Sequence, residues 1–245
     1  MPLTAILGTL ARPRSLHSPP AMCARYNLHS SPHALAEFFN VDSPEPPVTL
    51  PLPNFNVAPT QEAPVVVNSP RRFEVMRWGL IPSWATDARI GRRTINARAE
   101  SVAEKPAFRA AFRARRCLVP ADGFYEWTGP RGKRRPLNIH RADGHPLALA
   151  GLWESHAELG PTFTIITTGP NAFMAGLHNR MPVILEPCDW DAWLCAADED
   201  PAWRAALLRP AGDDVLTSYF ANPAVNSVAN NGPELLQTAA PVRLL

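Results

Sequence analysis

RRCLVPADGFYEW, residues 115–127, sets the character of the chain. Its first half, Arg116–Pro120, reads as a buried strand, a short apolar run closed by proline. Two further stretches read the same way: Pro146–Trp153, and the threonine-rich FTIITT at 163–168. Helical patterns are fewer and shorter. HALAEFFNV at 33–41 carries apolar residues at helical spacing behind a cap signal at Ser30 and Ser31. Ser101 to Arg116 reads as an amphipathic helix with Phe108 and Phe112 on one face. Asp189–Cys195 and Pro201–Leu208 read as short surface helices, and the proline-rich residues 42–71 as loops with short strands. Strands and helices mix without a regular βαβ alternation, which predicts an α+β fold.

Composition narrows the class. A chain of 245 residues fits one large domain or two small ones and can bury a core without disulfides or metal. Its 28 prolines argue against long helices and for loops, turns and edge strands. No apolar run reaches the roughly 18 residues of a membrane span. The four cysteines, Cys23, Cys117, Cys188 and Cys195, form no CxxC pair, which speaks against structural zinc and for free thiols in a reducing cytosol. The net charge of +2 is unevenly spread. Residues 71–135 hold 16 Lys and Arg against 6 Asp and Glu, the balance a phosphate-binding surface needs, although solvated arginines beside acidic neighbours would give the same count.

Residues 1–21 stand apart, with Arg12 and Arg14, no acid and a Pro/Ser-rich end. Their basic residues follow the apolar stretch, so they make a poor secretory signal. A targeting peptide, a tail or a misassigned start codon are the readings left open.

Four segments concentrate rigid, polar and aromatic residues: MCARY (22–26), RWGLIPSW (77–84) running into TINARAES (94–101), RRCLVPADGFYEW, and TTGPNAFMAGLHNRMPVIL (167–185). Each residue has a bland reading when taken singly. Glu126, between Tyr125 and Trp127, is then a strand-edge surface carboxylate. His178 is a hydrogen-bonded structural histidine, and Asn96 satisfies backbone groups in a turn. Trp78 and Trp84 are core residues, and Cys23 is a small buried hydrophobe.

Together, however, the MCxR start, WGLIPSW, the NAR triplet, CLVPADGFYEW, H-x-R-M-P-V and the closing NPAVNSVANNGPELLQ resemble the SRAP family of abasic-site-processing proteins, from Met22 to about residue 240. The resemblance implies one α+β domain over residues 23–245, a curved, mostly antiparallel sheet system with peripheral helices and a basic cleft ending at Cys23. Residues 1–22 are then a leader, absent or removed in the active form. It implies a monomer in the cytoplasm, associated with the nucleoid, whose partner is single-stranded DNA containing abasic sites and which uses no membrane.

The implied chemistry depends on a cysteine at the N-terminus. An abasic sugar opens to a C1′ aldehyde, with which an amine condenses reversibly. A thiol two carbons from that amine closes on the imine to give a stable five-membered thiazolidine. An internal cysteine cannot do this, because its nitrogen is an amide. With a pKa of about 7.7–8.0, an α-amine is roughly 10–15% neutral at pH 7, against about 0.04% for lysine. By the resemblance, Cys23 is the nucleophile and Asn96 positions the opened sugar. Glu126 shuttles protons, and His178 hydrogen-bonds the sugar as general acid. Arg25 and Arg98 contact phosphate, Thr167 contacts the DNA backbone, and Trp84 supports or wedges the strand. No metal or organic cofactor is needed. The chain departs from the family's pattern at Ala24, where glycine is usual, and at Ala85, where some relatives carry a second tryptophan. Two other readings stay in play: a cysteine autopeptidase cutting before Cys23, and a non-catalytic module that binds single strands, which would need neither Glu126 nor His178.

Overall fold

The computed structural model describes residues 24–41, 49–68, 70–130, 132–195 and 201–237; Cys23 and the extension before it lie outside the described residues. In chain order the main elements are β1 (Tyr26–Leu28), α1 (Pro32–Phe38), β2 (Asn54–Val57), β3 (Glu62–Val67), β4 (Arg72–Trp78), β5 (Asn96–Arg98), α2 (Arg109–Ala114), β6 (Arg116–Ala121) and β7 (Gly123–Thr128). They continue with β8 (Arg135–Arg141), β9 (Leu147–His156), β10 (Gly160–Thr168), α3 (Ala172–Ala175), β11 (Met181–Pro182), α4 (Pro187–Leu194), α5 (Pro201–Ala206) and β12 (Leu216–Phe220). Short 3₁₀ turns cover Ala88–Arg92, Ala99–Ser101, Pro223–Asn226 and Pro233–Leu236.

Residues 115–127 pass through both sheets of the fold. β6 belongs to a seven-stranded sheet in the order β11-β10-β4-β3-β6-β9, with β5 as a seventh strand beside β10, and β7 is the middle strand of a five-stranded sheet, β12-β8-β7-β1-β2. The chain crosses between them at Asp122, whose carboxylate accepts hydrogen bonds from the main chain of His29 (2.5 Å) and Ser30 (2.7 Å). The larger sheet is strongly curved, because β9 also pairs with β10 and closes the ring β10-β4-β3-β6-β9. Every pairing is antiparallel except β10 with β4 and β10 with β5. The expected α+β architecture, with curved and mostly antiparallel sheets, is therefore the one observed.

The main core joins the two sheets: Tyr26, Phe124 and Ile139 of the smaller pack in one cluster with Val65, Trp78, Leu118 and Phe163 of the larger. A second small cluster, Tyr125, Ala221, Val225 and Leu235, covers the other face of the smaller sheet. This explains why β7 has no polar/apolar alternation over Gly123–Glu126, all of which are buried: a strand covered on both faces has no solvent side.

The strand readings agree with the structure to within a few residues, and α1 starts behind Ser31, whose hydroxyl accepts from the Ala34 N–H at 3.2 Å. The helix expected over 101–116 is much shorter. Only Arg109–Ala114 is α-helical, because Pro106 removes a backbone donor and steers its predecessor out of helical geometry, while Arg116 already belongs to β6. Phe108 and Phe112 are nevertheless both buried, as the face reading requires. The helix expected at 189–195 forms as α4, but it is not a surface element: Trp190, Trp193 and Leu194 are buried. The buried Arg116 guanidinium sits between α2 and α4, donating to the carbonyls of Phe112 (2.8 Å), Arg113 (2.7 Å), Trp193 (2.6 Å) and Cys195. It thereby satisfies orphan carbonyls at the C-terminal ends of both helices.

Candidate functional site

Four of the residues singled out in the sequence meet at one end of β10. Asn96 opens β5, which runs parallel to β10 with Asn96 opposite Ile165 and Arg98 opposite Thr167. The Thr167 hydroxyl donates to the Ala97 carbonyl at 3.4 Å. Thr167 also lies opposite Pro182 of β11, and the loop entering β11 carries His178 and Arg180. That loop leaves α3, which Asn171 fixes at both ends of its own side chain. Its Oδ1 caps the Met174 N–H at 2.9 Å, and its Nδ2 donates to the Ala211 and Gly212 carbonyls. The Arg180 guanidinium reaches back, pairing with the Glu100 carboxylate (Nη2–Oε2 2.9 Å) and donating to the Thr167 carbonyl at 2.5 Å. The Arg180 main-chain N–H donates to His178 Nδ1 at 3.1 Å. With Nδ1 accepting, the neutral ring carries its proton on Nε2. Burial holds His178 below its ordinary pKa; a hydrogen bond with the Arg180 main chain opposes this, and the positive charges of Arg134 and Arg180 add to it. At neutral pH this histidine is a neutral Nε2–H donor.

Glu126 and Arg25 belong to the smaller sheet. Glu126 is 8% exposed on the central strand β7, so the reading of it as a strand-edge surface carboxylate fails; β1 and β8 flank it on either side. Arg25 is bound to the same strand, its carbonyl accepting from the Tyr125 N–H at 3.0 Å. Its Nη1 donates to Asn56 Oδ1 (2.8 Å) and to the Val225 carbonyl (2.9 Å). Asn56 in turn donates to the carbonyls of Ser227 and Asn230, both at 2.9 Å, and Trp127 Nε1 donates to Asn226 Oδ1 at 2.7 Å. The C-terminal NPAVNSVAN stretch is thus the brace that holds Arg25 against β2 and β7.

The two groups of residues approach through the core. The Tyr26 ring meets the Trp78 ring edge-on at 5.2 Å, and Trp78 Nε1 donates to the Ile95 carbonyl at 2.9 Å, one residue before Asn96. The β7–β8 connection brings Arg134 within electrostatic reach of His178. Trp78 thus links β1 of the smaller sheet to the residue that precedes Asn96. Among the other thiols, Cys117 is fully buried and burial pushes its pKa up, which leaves it inert.

Trp84 stands away from the core, 61% exposed, whereas Trp78 is fully buried. Its loop is nonetheless firmly held. Gly79 and Gly91 approach backbone to backbone, the Ile81 N–H donates to Thr162 Oγ1 at 2.9 Å, and His156 Nε2 lies 2.9 Å from the Ala85 carbonyl. The following turn exposes Arg89, Arg92 and Arg93, with Arg98 exposed on β5. An open cleft of about 380 Å³ is lined by Asp87, Arg89, Ile90 and Arg93. Within the basic segment, Arg71, Arg72, Arg89 and Arg115 pair with Asp191, Glu74, Asp87 and Glu154, while Arg92, Arg93 and Arg98 face solvent. Among the described residues, no three of His, Cys, Asp and Glu group as a metal site, and no helix is long and apolar enough to cross a membrane.

Sequence reasoning passed over Arg180, Glu100 and Arg134. The first two lie inside the HNRMPV and NARAES motifs, so the signal was present; that their side chains meet was not.

Comparison with known proteins identifies the family and the fold. The family described as SOS response associated peptidase (SRAP) matches residues 22–228. The chain is 42% identical over 226 residues to abasic site processing protein YoqW of Bacillus subtilis, covering 89% of this chain and all of the relative. It is 29% identical over 221 residues to abasic site processing protein HMCES of Xenopus tropicalis, covering 75% of this chain and 65% of that protein. A crystal structure of a protein from Bacteroides thetaiotaomicron superposes with a TM-score of 0.78 at 26% identity, covering 89% of this chain and all of that one. The chain belongs to the SRAP family.

Proposed function

We propose that this protein processes abasic sites by capturing them covalently in single-stranded DNA, through Cys23 as the N-terminal residue of the active form. The observation that carries the reading is the gathering of Asn96, Arg98, Thr167 and a neutral His178 at one end of β10. The Cys23 amine attacks the C1′ aldehyde and water leaves, giving an imine. The thiol sulfur then adds to the imine carbon, its proton passing to the nitrogen, and the thiazolidine closes with no further leaving group. His178 Nε2–H donates to the sugar oxygen, and Glu126 accepts and returns protons as the ring opens and the water departs. Asn96 orients the opened sugar, Arg25 and Arg98 serve phosphates, Thr167 contacts the DNA backbone, and Trp84 offers a base a stacking surface. The reaction takes no metal or cofactor, and it belongs in the cytoplasm, where the DNA is and the thiol stays reduced. Residues 1–22 must be absent or removed, because an amide nitrogen at Cys23 cannot form the imine.

The test is a denaturing gel of protein with a verified Cys23 N-terminus, incubated with single-stranded DNA carrying one abasic site. A heat-stable shifted band that disappears in Cys23→Ala is expected; no band from the parent protein sinks the reading. Self-cleavage before Cys23 is the second reading, favoured by the family's description as a peptidase. N-terminal sequencing of full-length protein, with Glu126→Gln as the control, decides it.

A further inference from the structure

We propose that Glu100 is a positioning residue for His178: its carboxylate holds the Arg180 side chain so that the Arg180 main chain can fix the ring and tautomer of the histidine. The proposal rests on the reading of His178 as the proton donor in abasic-site capture. It extends that reading to a carboxylate to which neither the motif roles nor the proposed chemistry gives any part.

The connections form one short chain. Glu100 follows β5, the strand bearing Asn96 and Arg98, in the 3₁₀ turn Ala99–Ser101. Its two oxygens meet Arg180 Nη1 and Nη2, a two-point fork that fixes the plane of the guanidinium as well as its position. Arg180 Nη2 also donates to the Thr167 carbonyl at 2.5 Å and to its Oγ1 at 3.3 Å. The Arg180 side chain is thereby tied to β5 and to β10 at once. Two residues back, His178 is held by its own N–H donating to Met174 O at 2.8 Å and by the Arg180 N–H on Nδ1 at 3.1 Å. An N–H aimed at Nδ1 excludes a proton there, so the neutral ring presents Nε2–H outward. If Arg180 swings free, that N–H is no longer held in register. The ring then gains access to both tautomers and to other rotamers.

The arrangement is poorly explained as a stabilising ion pair. The Glu100 side chain is 56% exposed, and pairs this open add little to global stability. It is equally a poor DNA contact, since a carboxylate beside Arg98 and Arg180 repels phosphate. A carboxylate that weakens phosphate binding and adds little stability, yet reaches the histidine through one residue, is explained by placement of that histidine.

The experiment compares Glu100→Ala, Glu100→Gln and parent protein, each with a verified Cys23 N-terminus and a melting temperature within a few degrees of the parent. Crosslinking rate at saturating abasic-site DNA and the affinity for the same strand without the lesion are measured separately. In parallel, long-range proton–nitrogen NMR on protein with nitrogen-15 histidine reads the tautomer of His178. Glu100→Ala is expected to slow crosslinking at saturation about tenfold while affinity holds or rises, as misplacement of a reacting group does. Its His178 signals should lose the single Nε2–H pattern, and Glu100→Gln should fall between. An unchanged rate with an unchanged tautomer overturns the proposal, and so does a slower reaction explained wholly by weaker DNA binding. Should Glu100→Ala fail to fold, Glu100→Gln with the NMR readout decides alone. Failure of the parent to crosslink at all refutes the proposed function instead; the tautomer measurement still tests the Glu100 link.

Discussion

Gly79→Ala should cost about 3 kcal/mol of stability, a figure that follows from local geometry. Gly79 has φ +118°, a conformation that L side chains rarely adopt, and a Cβ placed there would stand 2.6 Å from the Gly91 carbonyl oxygen and 3.1 Å from its carbon. Both atoms are backbone, and Gly91 cannot retreat easily. The loop between them is tied by Thr94 Oγ1 to the carbonyls of Leu80 (2.5 Å) and Ile90 (3.0 Å), and by the Gly79 N–H to Phe163 O at 2.8 Å. The strained backbone costs about 1–3 kcal/mol and the forced contact about 1–3 kcal/mol, while the stiffer unfolded chain returns about 0.4–1 kcal/mol. At about 2–4 °C per kcal/mol for a chain of this size, the melting temperature should fall by roughly 6–12 °C. Thermal unfolding followed by circular dichroism measures it. Gly176→Ala is the control, because Gly176 has φ −73° and its Cβ would meet only Phe173 O at an ordinary 3.8 Å. A Gly79→Ala protein melting within about 2 °C of the parent would refute the claim that this close approach holds the Trp84 loop.

Other perturbations separate stability from binding. Trp84→Ala should leave stability within about 0.5 kcal/mol, because the ring is exposed. Under the proposed function, it should weaken single-strand binding by about 1–3 kcal/mol, roughly 5- to 150-fold by fluorescence anisotropy. Arg116→Met should lose about 4 kcal/mol in urea denaturation, since four carbonyls, two buried and two partly buried, lose their donors, and Arg116→Lys should recover only part of it. For Asp122, burial opposes ionisation, but hydrogen bonds from His29 and Ser30 outweigh it and hold the folded pKa below the usual carboxylate value. Its stabilising contribution is therefore complete above the unfolded value near 3.8 and is lost as pH falls through the lower folded one. Asp122→Asn should accordingly flatten the loss of stability below about pH 4, measured as denaturation midpoints across pH; parallel curves for the two proteins would contradict this.

Much of the fold was legible because short strands leave local marks. The runs at 116–120, 146–153 and 163–168 became β6, β9 and β10, since β-branched and apolar residues packed on both faces have no other good solution. The helix over 101–116 was overread, because apolar spacing alone does not register Pro106 or the demand of β6 for Arg116. The burial of α4 could not be read from spacing either: Trp190 and Trp193 are covered by elements far away in the chain.

The sequence by itself determined the family and singled out the candidate residues, because motif identity is a property of the chain. Only the tertiary structure decided which residues face what. Trp78 and Trp84 are six positions apart in one motif, yet one is sealed in the core by Tyr26 and Phe163 and the other is open to solvent. Glu126 is central rather than at an edge, because β1 and β8 both pair with its strand. Glu100, Arg180 and His178 are joined across nearly eighty residues by a parallel pairing of β5 with β10. Long-range pairing of this kind sets the environment of each side chain, and the environment is what turns a common residue type into a donor, a brace or an exposed surface.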